Sequence, residues 1–103
     1  MIVQFTLIPL GTKSDSLSKL LSKAMRPIVE SGLDYKVGPM GSVVEGDWYQ
    51  VVPLINRCRK ILLRECDRLH ISIAIDDRKE PASGRIEGKV KSLEKKMGIK
   101  LKK

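Results

Sequence analysis

The sequence has few of the residues on which catalysis and metal binding commonly depend. Its 103 residues include one histidine, two cysteines and four aromatic side chains. A single histidine cannot serve as general base and metal ligand at once, and no CxxC pair is present, so neither a catalytic triad nor a zinc site is indicated. RNA recognition on an open sheet needs aromatic side chains on the central strands, and the chain has few aromatic side chains to place there. We therefore expect no enzymatic activity, no cofactor and no metal.

Long hydrophobic runs are also missing. No apolar stretch approaches the ~20 residues that span a bilayer, and residues 2–10 lack the flanks of a signal peptide. The composition, with one asparagine and two glutamines against 20 Lys and Arg, is typical of thermophilic proteins. We expect one domain over residues 1–103, located in the cytoplasm and without a membrane partner.

The net charge of +8 is unevenly distributed. Residues 85–103 contain eight Lys and Arg against two Glu, a net charge of +6, so the rest of the chain contributes only +2. When the rest of the chain has nearly equal numbers of positive and negative charges, a basic helix is more often a solvated surface than a phosphate-binding one. Binding to nucleic acid is therefore a disfavoured alternative.

Hydrophobic periodicity predicts the order βαββαβ followed by a C-terminal helix. Alternating patterns predict four strands, and spacings of three and four residues predict three helices. The strands are expected at residues 2–8, 34–37, 42–45 and 69–76. The helices are expected from residue 17 to a stop at Gly32, at 48–66 and at 85–97. Two βα units that share a four-stranded antiparallel sheet form a ferredoxin-like α+β sandwich.

Local signals set the expected boundaries of these elements. Pro9 and Gly11 should end the first strand, and Pro27 should kink or shorten the first helix. Helix N-caps are expected among residues 14–16 and at Asp47, which forms a capping-box pattern with Gln50. Cys58 and Cys66, eight residues apart in the second predicted helix, would be ~12 Å apart, too far for a disulfide, so two reduced buried thiols are predicted.

One face of the predicted sheet is small or polar. Val3, Phe5 and Leu7, with the Leu and Ile residues of the last strand, should face the helices. Alternation then places the intervening residues on the uncovered face, namely Gln4, Thr6, His70, Ser72 and Ala74. Such a face suits either a ligand or partner surface or, more simply, solvent.

Three segments place polar groups at strand ends and resemble the thiamine-binding protein family. They are FTLIPLGT at residues 5–12, PMGSVVEG at residues 39–46 and IDDR at residues 75–78. KVKSLE at residues 89–94 is similar to that family's final helix, so the likeness covers essentially the whole chain. The resemblance implies a ferredoxin-like fold, non-catalytic binding of thiamine or its hydroxymethylpyrimidine part, and homodimers or homotetramers formed through sheet edges and faces.

The resemblance and the residue chemistry together suggest ligand-binding residues. The candidates are Thr6, Thr12, Met40, Ser42, Glu45, Ser72 and Asp76. Hydroxyl groups and a carboxylate can form hydrogen bonds with an aminopyrimidine, and a carboxylate also favours the nearby thiazolium cation. Met40 or Trp48 can pack against a ring of the ligand.

Simpler interpretations stay open for the carboxylates. Glu45 is alternatively a rim carboxylate paired with Arg78 or with the N-terminus of the next helix, and Asp76 and Asp77 are alternatively turn-capping residues. Residues 39–46 are expected to form one wall of a pocket on the uncovered face. Alternation nevertheless places Ser42 and Glu45 on opposite faces unless a bulge intervenes.

A regulatory or assembly module for another small ligand is the main rival function.

Overall fold

The computed structural model describes residues 1–12, 17–80 and 83–103. Four strands form one antiparallel sheet in the order β2-β3-β1-β4. The elements in chain order are β1 (Ile2–Thr12), α1 (Leu17–Glu30), β2 (Asp34–Gly38), β3 (Gly41–Glu45), α2 (Trp48–Leu63), β4 (Cys66–Asp76) and α3 (Arg85–Met97). The predicted ferredoxin-like βαββαβ order with a C-terminal helix is confirmed.

Strand register decides which side chains share a face of the sheet. Phe5 lies opposite Ser42 on β3 and opposite Ile73 on β4, so these three side chains point to the same side. This side is covered by α1 and α2, and we call it the helix face. Gln4 and Thr6 alternate to the other side, which we call the open face, together with Glu45.

The hydrophobic core fills the space between the helix face and the two helices. Its larger cluster consists of Val3, Phe5, Ile28, Val44, Val51, Leu54, Ile55 and Cys58. A second cluster around Leu20, Ala24 and Leu62 lies further along the sheet, and Leu7 packs against both. The core excludes the far part of β4, where Ile73 and Ile75 are on the helix face but remain about half exposed, because β4 is the outermost strand.

The first strand is longer than the sequence predicted. Pro9 and Gly11 do not end β1, which runs to Thr12 and pairs with β4 throughout. The pairing of β3 with β1 stops at Phe5, so beyond that point β4 is the one strand beside β1 in the part of the chain that the structure describes. A proline is tolerated there because its missing N–H is not needed on the free side.

The helix boundaries also differ from expectation. Helix α1 is not shortened at Pro27 but continues to Glu30, close to the stop predicted at Gly32. Helix α2 ends at Leu63, and Cys66 begins β4, so the two cysteines do not share a helix as predicted. Both are nevertheless buried and free of disulfide bonds, as predicted.

The predicted capping box at the start of α2 is confirmed. The Gln50 backbone N–H donates to Asp47 Oδ1 at 2.9 Å, and the Asp47 N–H donates to Gln50 Oε1 at 3.1 Å. The N-cap candidates at residues 14–16 lie outside the described residues. None of the helices in the described ranges is long and apolar enough to span a membrane.

Helix α3 lies against β2 and β3 but contributes no buried side chain. Ile86 and Val90 are partly buried, whereas Leu93 and Met97 are about half exposed. Its attachment is therefore largely polar, through groups described below.

Candidate functional site

A cavity of about 330 Å³ opens between α1 and the β2–β3 turn. We call it the α1 cavity. The sheet contributes Phe5, Thr6 and Leu7, and α1 contributes Leu21, Ala24 and Met25. The remaining lining residues belong to the turn region and are Val37, Gly38, Pro39, Met40, Gly41 and Ser42. Its volume is within the range of small-molecule sites, and its walls are mainly apolar.

The turn that forms the rim is held against β1 by a close backbone approach. The Thr6 hydroxyl donates to the Met40 carbonyl at 3.1 Å. A Cβ at Gly41 would lie 2.9 Å from Thr6 Oγ1 and 3.1 Å from the Phe5 carbonyl oxygen, so only glycine fits without a shift. Met40 itself is 81% exposed at the mouth of the cavity. Thr6 therefore braces the rim from the open face.

Ser42 is the predicted site residue that points into the α1 cavity. It lies on the helix face opposite Phe5 and is only 7% exposed. Its hydroxyl donates to Met25 Sδ at 3.7 Å, a thioether that accepts hydrogen bonds weakly. The Ser42 hydroxyl is thus paired, but with a poor acceptor.

Glu45 is separated from Ser42 because it points to the open face. Its Oε1 accepts the backbone N–H of Arg85 at 2.8 Å and that of Ile86 at 3.3 Å. This carboxylate satisfies the N-terminus of α3, which has no side-chain cap of its own at Gly84. The sequence left open a contact with the N-terminus of the next helix, but the helix that Glu45 contacts is α3 and not α2. The single pocket wall predicted for residues 39–46 does not form.

Asp76 also contacts α3 and lies on the same face of the sheet as Glu45. Its carboxylate pairs with the Lys89 ammonium group, and the Lys89 hydrogen bond and charge lower the pKa of the Asp76 carboxyl below its ordinary value. Arg78 and Arg85 add smaller effects in the same direction. Two predicted ligand carboxylates, Glu45 and Asp76, are thus both engaged with α3.

The remaining predicted residues lie apart from the α1 cavity. Ser72 is exposed on the open face, where its Oγ is 3.4 Å from His70 Nε2. Thr12 ends β1 opposite Cys66, and its side chain is outside the described part of the structure. In the described residues no group of three or more His, Cys, Asp and Glu side chains is placed to hold a metal ion.

A second, wider cavity of about 570 Å³ lies at the end of the sheet near α2. Glu45, Trp48, Asp77 and Arg78 line it, and Trp48 is 55% exposed. Trp48 is thus close to Glu45 but not to Met40, so the two ring-packing candidates belong to different cavities.

Sequence reasoning missed the α1 side of the cavity. Leu21 and Met25 are four residues apart and therefore lie on one face of α1. Helical spacing predicts that Leu21 lies on the apolar face of α1. It does not predict that part of this face borders a cavity.

The chain is a ferredoxin-like domain with a mainly apolar cavity beside its β2–β3 turn. The family model described as thiamine-binding protein matches residues 3–94. The chain belongs to the thiamine-binding protein family.

Relatives support this assignment over almost the full length. The UPF0045 protein MJ1052 of Methanocaldococcus jannaschii is 32% identical over 92 residues, covering 89% of this chain and 90% of its own. A UPF0045 protein of Methanothermobacter thermautotrophicus is 29% identical over 96 residues, covering 91% and 96%.

Solved structures share the fold. The crystal structure of MJ1052 has a TM-score of 0.77, with 89% of this chain and 93% of that chain covered. A Thermotoga maritima protein, described in connection with thiamine biosynthesis or salvage, has a TM-score of 0.74 at 23% identity, with 89% and 96% covered. At that identity the second comparison shows the fold alone.

Proposed function

We propose that this protein binds thiamine or its hydroxymethylpyrimidine part in the α1 cavity without converting it chemically. The observation that carries the proposal is a mainly apolar cavity, with Ser42 in its wall and the Thr6–Met40 contact at its rim, in a member of the thiamine-binding protein family. The family match supplies the ligand class, and the cavity supplies a place for it.

The chemistry of the cavity suits a planar heteroaromatic ring. Phe5, Leu7 and Leu21 provide apolar walls, and Ser42 provides a hydroxyl group. A cavity with apolar walls and few polar groups is the usual design of a small-molecule site.

We assign no catalytic step to this site. Among the described residues, three side chains that could transfer protons lie away from the cavity: Glu45 and Asp76 contact α3, and His70 is exposed on the open face. The protein is accordingly a carrier, sensor or store of its ligand.

We further propose a homodimer or homotetramer in the cytoplasm, assembled through sheet edges and faces. Ile73 is 50% exposed and Ile75 is 44% exposed on β4, whose outer edge has no neighbouring strand among the described residues. An unpaired strand edge with apolar side chains is a template for pairing with another copy.

Titration calorimetry with thiamine and with hydroxymethylpyrimidine tests the binding proposal. Leu21→Trp fills the α1 cavity, and Leu93→Trp is its matched control on the exposed part of α3. We expect saturable binding by the unaltered protein, at least tenfold weaker binding by Leu21→Trp, and unchanged binding by Leu93→Trp, with thermal unfolding as the check on folding. Absence of binding by the unaltered protein up to millimolar ligand, or equal binding by folded Leu21→Trp, contradicts the proposal.

A further inference from the structure

The second cavity, near the start of α2, has no part in the function proposed above. We call it the Trp48 cavity; its volume is about 570 Å³, and it shares no described lining residue with the α1 cavity. This volume is within the range of small-molecule sites. Two aromatic side chains border the cavity, Trp48, which is 55% exposed, and Tyr49, which is 86% exposed. A ligand there would not compete for space with a ligand in the α1 cavity.

The walls of the Trp48 cavity are acidic, although the chain as a whole has a net charge of +8. Four carboxylates line it, those of Asp34, Glu45, Asp47 and Asp77. The positive groups among its described lining residues are the Arg78 guanidinium group and the Met1 ammonium group, which donates to the Gly46 carbonyl at 2.9 Å. Within the described residues none of the four carboxylates forms an ion pair. The cavity therefore favours a cation.

Two of these carboxylates face each other across neighbouring strands. Asp34 on β2 lies directly opposite Glu45 on β3, which places their Cβ atoms about 5 Å apart on the open face. Like charges in this arrangement destabilise a sheet, and in the described part of the chain no basic side chain pairs with either of them. A bound cation would relieve this repulsion.

Glu45 keeps one carboxylate oxygen for a ligand. The residue is only 8% exposed, and its Oε1 accepts the backbone N–H groups of both Arg85 and Ile86. Its Oε2 accepts no hydrogen bond from the residues that the structure describes. A carboxylate oxygen that is largely withdrawn from water gains strongly from a charged donor. Because Glu45 lines the Trp48 cavity, Oε2 is the natural acceptor for a ligand there.

We propose that the Trp48 cavity binds a small organic molecule that carries a primary ammonium group. The ammonium group donates to Glu45 Oε2 and to the Asp34 carboxylate, and it lies between their negative charges. The apolar part of the molecule packs against the Trp48 ring, whose face also attracts the positive charge. A primary ammonium group fits better than a thiazolium or quaternary ammonium cation, because only the primary ammonium group has N–H groups to donate.

Calorimetry with three matched compounds tests the charge and the N–H groups separately. The probes are 2-phenylethylamine, its N,N,N-trimethyl derivative and the neutral 2-phenylethanol, each titrated into the unaltered protein at low salt. We expect saturable binding of the amine, binding of the trimethyl derivative that is weaker by about tenfold or more, and no measurable binding of the alcohol. Equal binding of the amine and either analogue, or no binding of the amine at millimolar concentration, overturns the proposal.

A peptide distinguishes a free amine from a lysine side chain of a partner protein. Acetyl-Gly-Lys-Gly-amide presents the same ammonium group without an aromatic part to pack against Trp48. We expect it to bind about fivefold more weakly than 2-phenylethylamine, for the loss of one aromatic contact. Tighter binding of the peptide than of the amine assigns the cavity to a protein partner and overturns the small-molecule proposal.

Variants of the two facing carboxylates and of the ring test the assigned contacts. Glu45→Gln retains a carbonyl oxygen for the α3 N–H groups but removes the negative charge, and Asp34→Asn removes the other charge. We expect each to weaken 2-phenylethylamine binding by about tenfold, and Trp48→Leu to weaken it by about fivefold. Asp67→Asn is the matched control with unchanged binding, because Asp67 is exposed at the opposite end of β4. Unchanged binding by Glu45→Gln that unfolds at the temperature of the unaltered protein overturns the proposal.

Competition with thiamine tests whether the two cavities are separate sites. The affinity for 2-phenylethylamine is measured in the absence of thiamine and at millimolar thiamine. We expect the same amine affinity in both cases, and the same affinity in the Leu21→Trp variant, whose substitution fills the α1 cavity. Displacement of the amine by thiamine, or loss of amine binding in folded Leu21→Trp, places the amine outside the Trp48 cavity and overturns the proposal.

Discussion

Ser42 and Glu45 lie three residues apart on the same short strand and point to opposite faces of the sheet. Ser42 enters the α1 cavity beside Met25, and Glu45 receives the first two backbone N–H groups of α3. One strand thus separates the candidate ligand site from the attachment of the C-terminal helix. This separation makes the two functions individually testable.

Glu45→Ala should loosen α3 without affecting ligand binding. Loss of a helix-capping acceptor lowers the free energy of unfolding by about 1 kcal/mol. We expect a loss of this size for Glu45→Ala, because Glu45 is buried. Denaturant unfolding and ligand titration measure the two quantities. Glu87→Ala is a matched control, because Glu87 lies on the exposed first turn of α3 and pairs only with Lys91 in the described structure. A folded Glu45→Ala variant that loses ligand affinity would place Glu45 in the binding site.

The Asp76–Lys89 pair should make α3 attachment sensitive to acid. Because the pKa of the Asp76 carboxyl is lowered in the folded state, its stabilising contribution is present above the ordinary aspartate range and is lost as the pH falls below it. Lys89→Met should raise this pKa toward its ordinary value, whereas Lys91→Met, which disrupts a separate pair, should leave it almost unchanged. Carboxyl NMR titration reports the pKa directly. Equal titration in both variants contradicts the assigned contact.

The Cys58 thiol should resist alkylation in the folded protein. Burial raises its pKa to about 11, although its own backbone hydrogen bond and the Arg57 charge lower it in part. The neutral thiol is therefore favoured in the folded state, and its stabilising effect is lost as the pH rises from the ordinary thiol range toward 11. Iodoacetamide labelling at pH 8, located by peptide mass spectrometry, should be slow until denaturant is added. Rapid labelling of Cys58 in the folded protein contradicts its placement in the core.

Ile73→Glu should prevent assembly through the β4 edge. The charge would be placed on a half-exposed residue of the outermost strand, where a second copy would have to bury it. Sedimentation velocity should show a lower mass than for the unaltered protein. Ile99→Glu is the control, because Ile99 is equally exposed but lies beyond α3. An unaltered protein that remains monomeric at all concentrations would remove the assembly proposal.

Much of the fold is predictable because its strongest signals are local. The alternation of Leu69, Ile71, Ile73 and Ile75 identifies β4, and the Asp47–Gln50 pair identifies the start of α2. The errors arose where tertiary context overrides a local rule. Pro9 stays within β1 because β3 does not pair with β1 beyond Phe5, so the missing N–H of Pro9 leaves no bond to β3 unmade. Cys66 belongs to β4 because the pairing of β4 with β1 extends to Thr12.

The candidate site was less predictable because residues from distant parts of the chain form it. The sequence singled out Ser42 and Met40, but it expected their pocket on the open face. The structure places the α1 cavity on the helix face, where the packing of α1 leaves space beside the turn. Helical periodicity alone does not reveal how closely Met25 packs against Ser42.

Amide NMR spectra recorded while ligand is added test the location of binding most directly. Thiamine and hydroxymethylpyrimidine should each produce their largest shifts at Gly38, Gly41 and Ser42, and at Met25 across the α1 cavity. The amides of Gly46 and Trp48 at the other end of the sheet should change little. Largest shifts at Gly46 and Trp48, or no shifts with either ligand, would contradict the account.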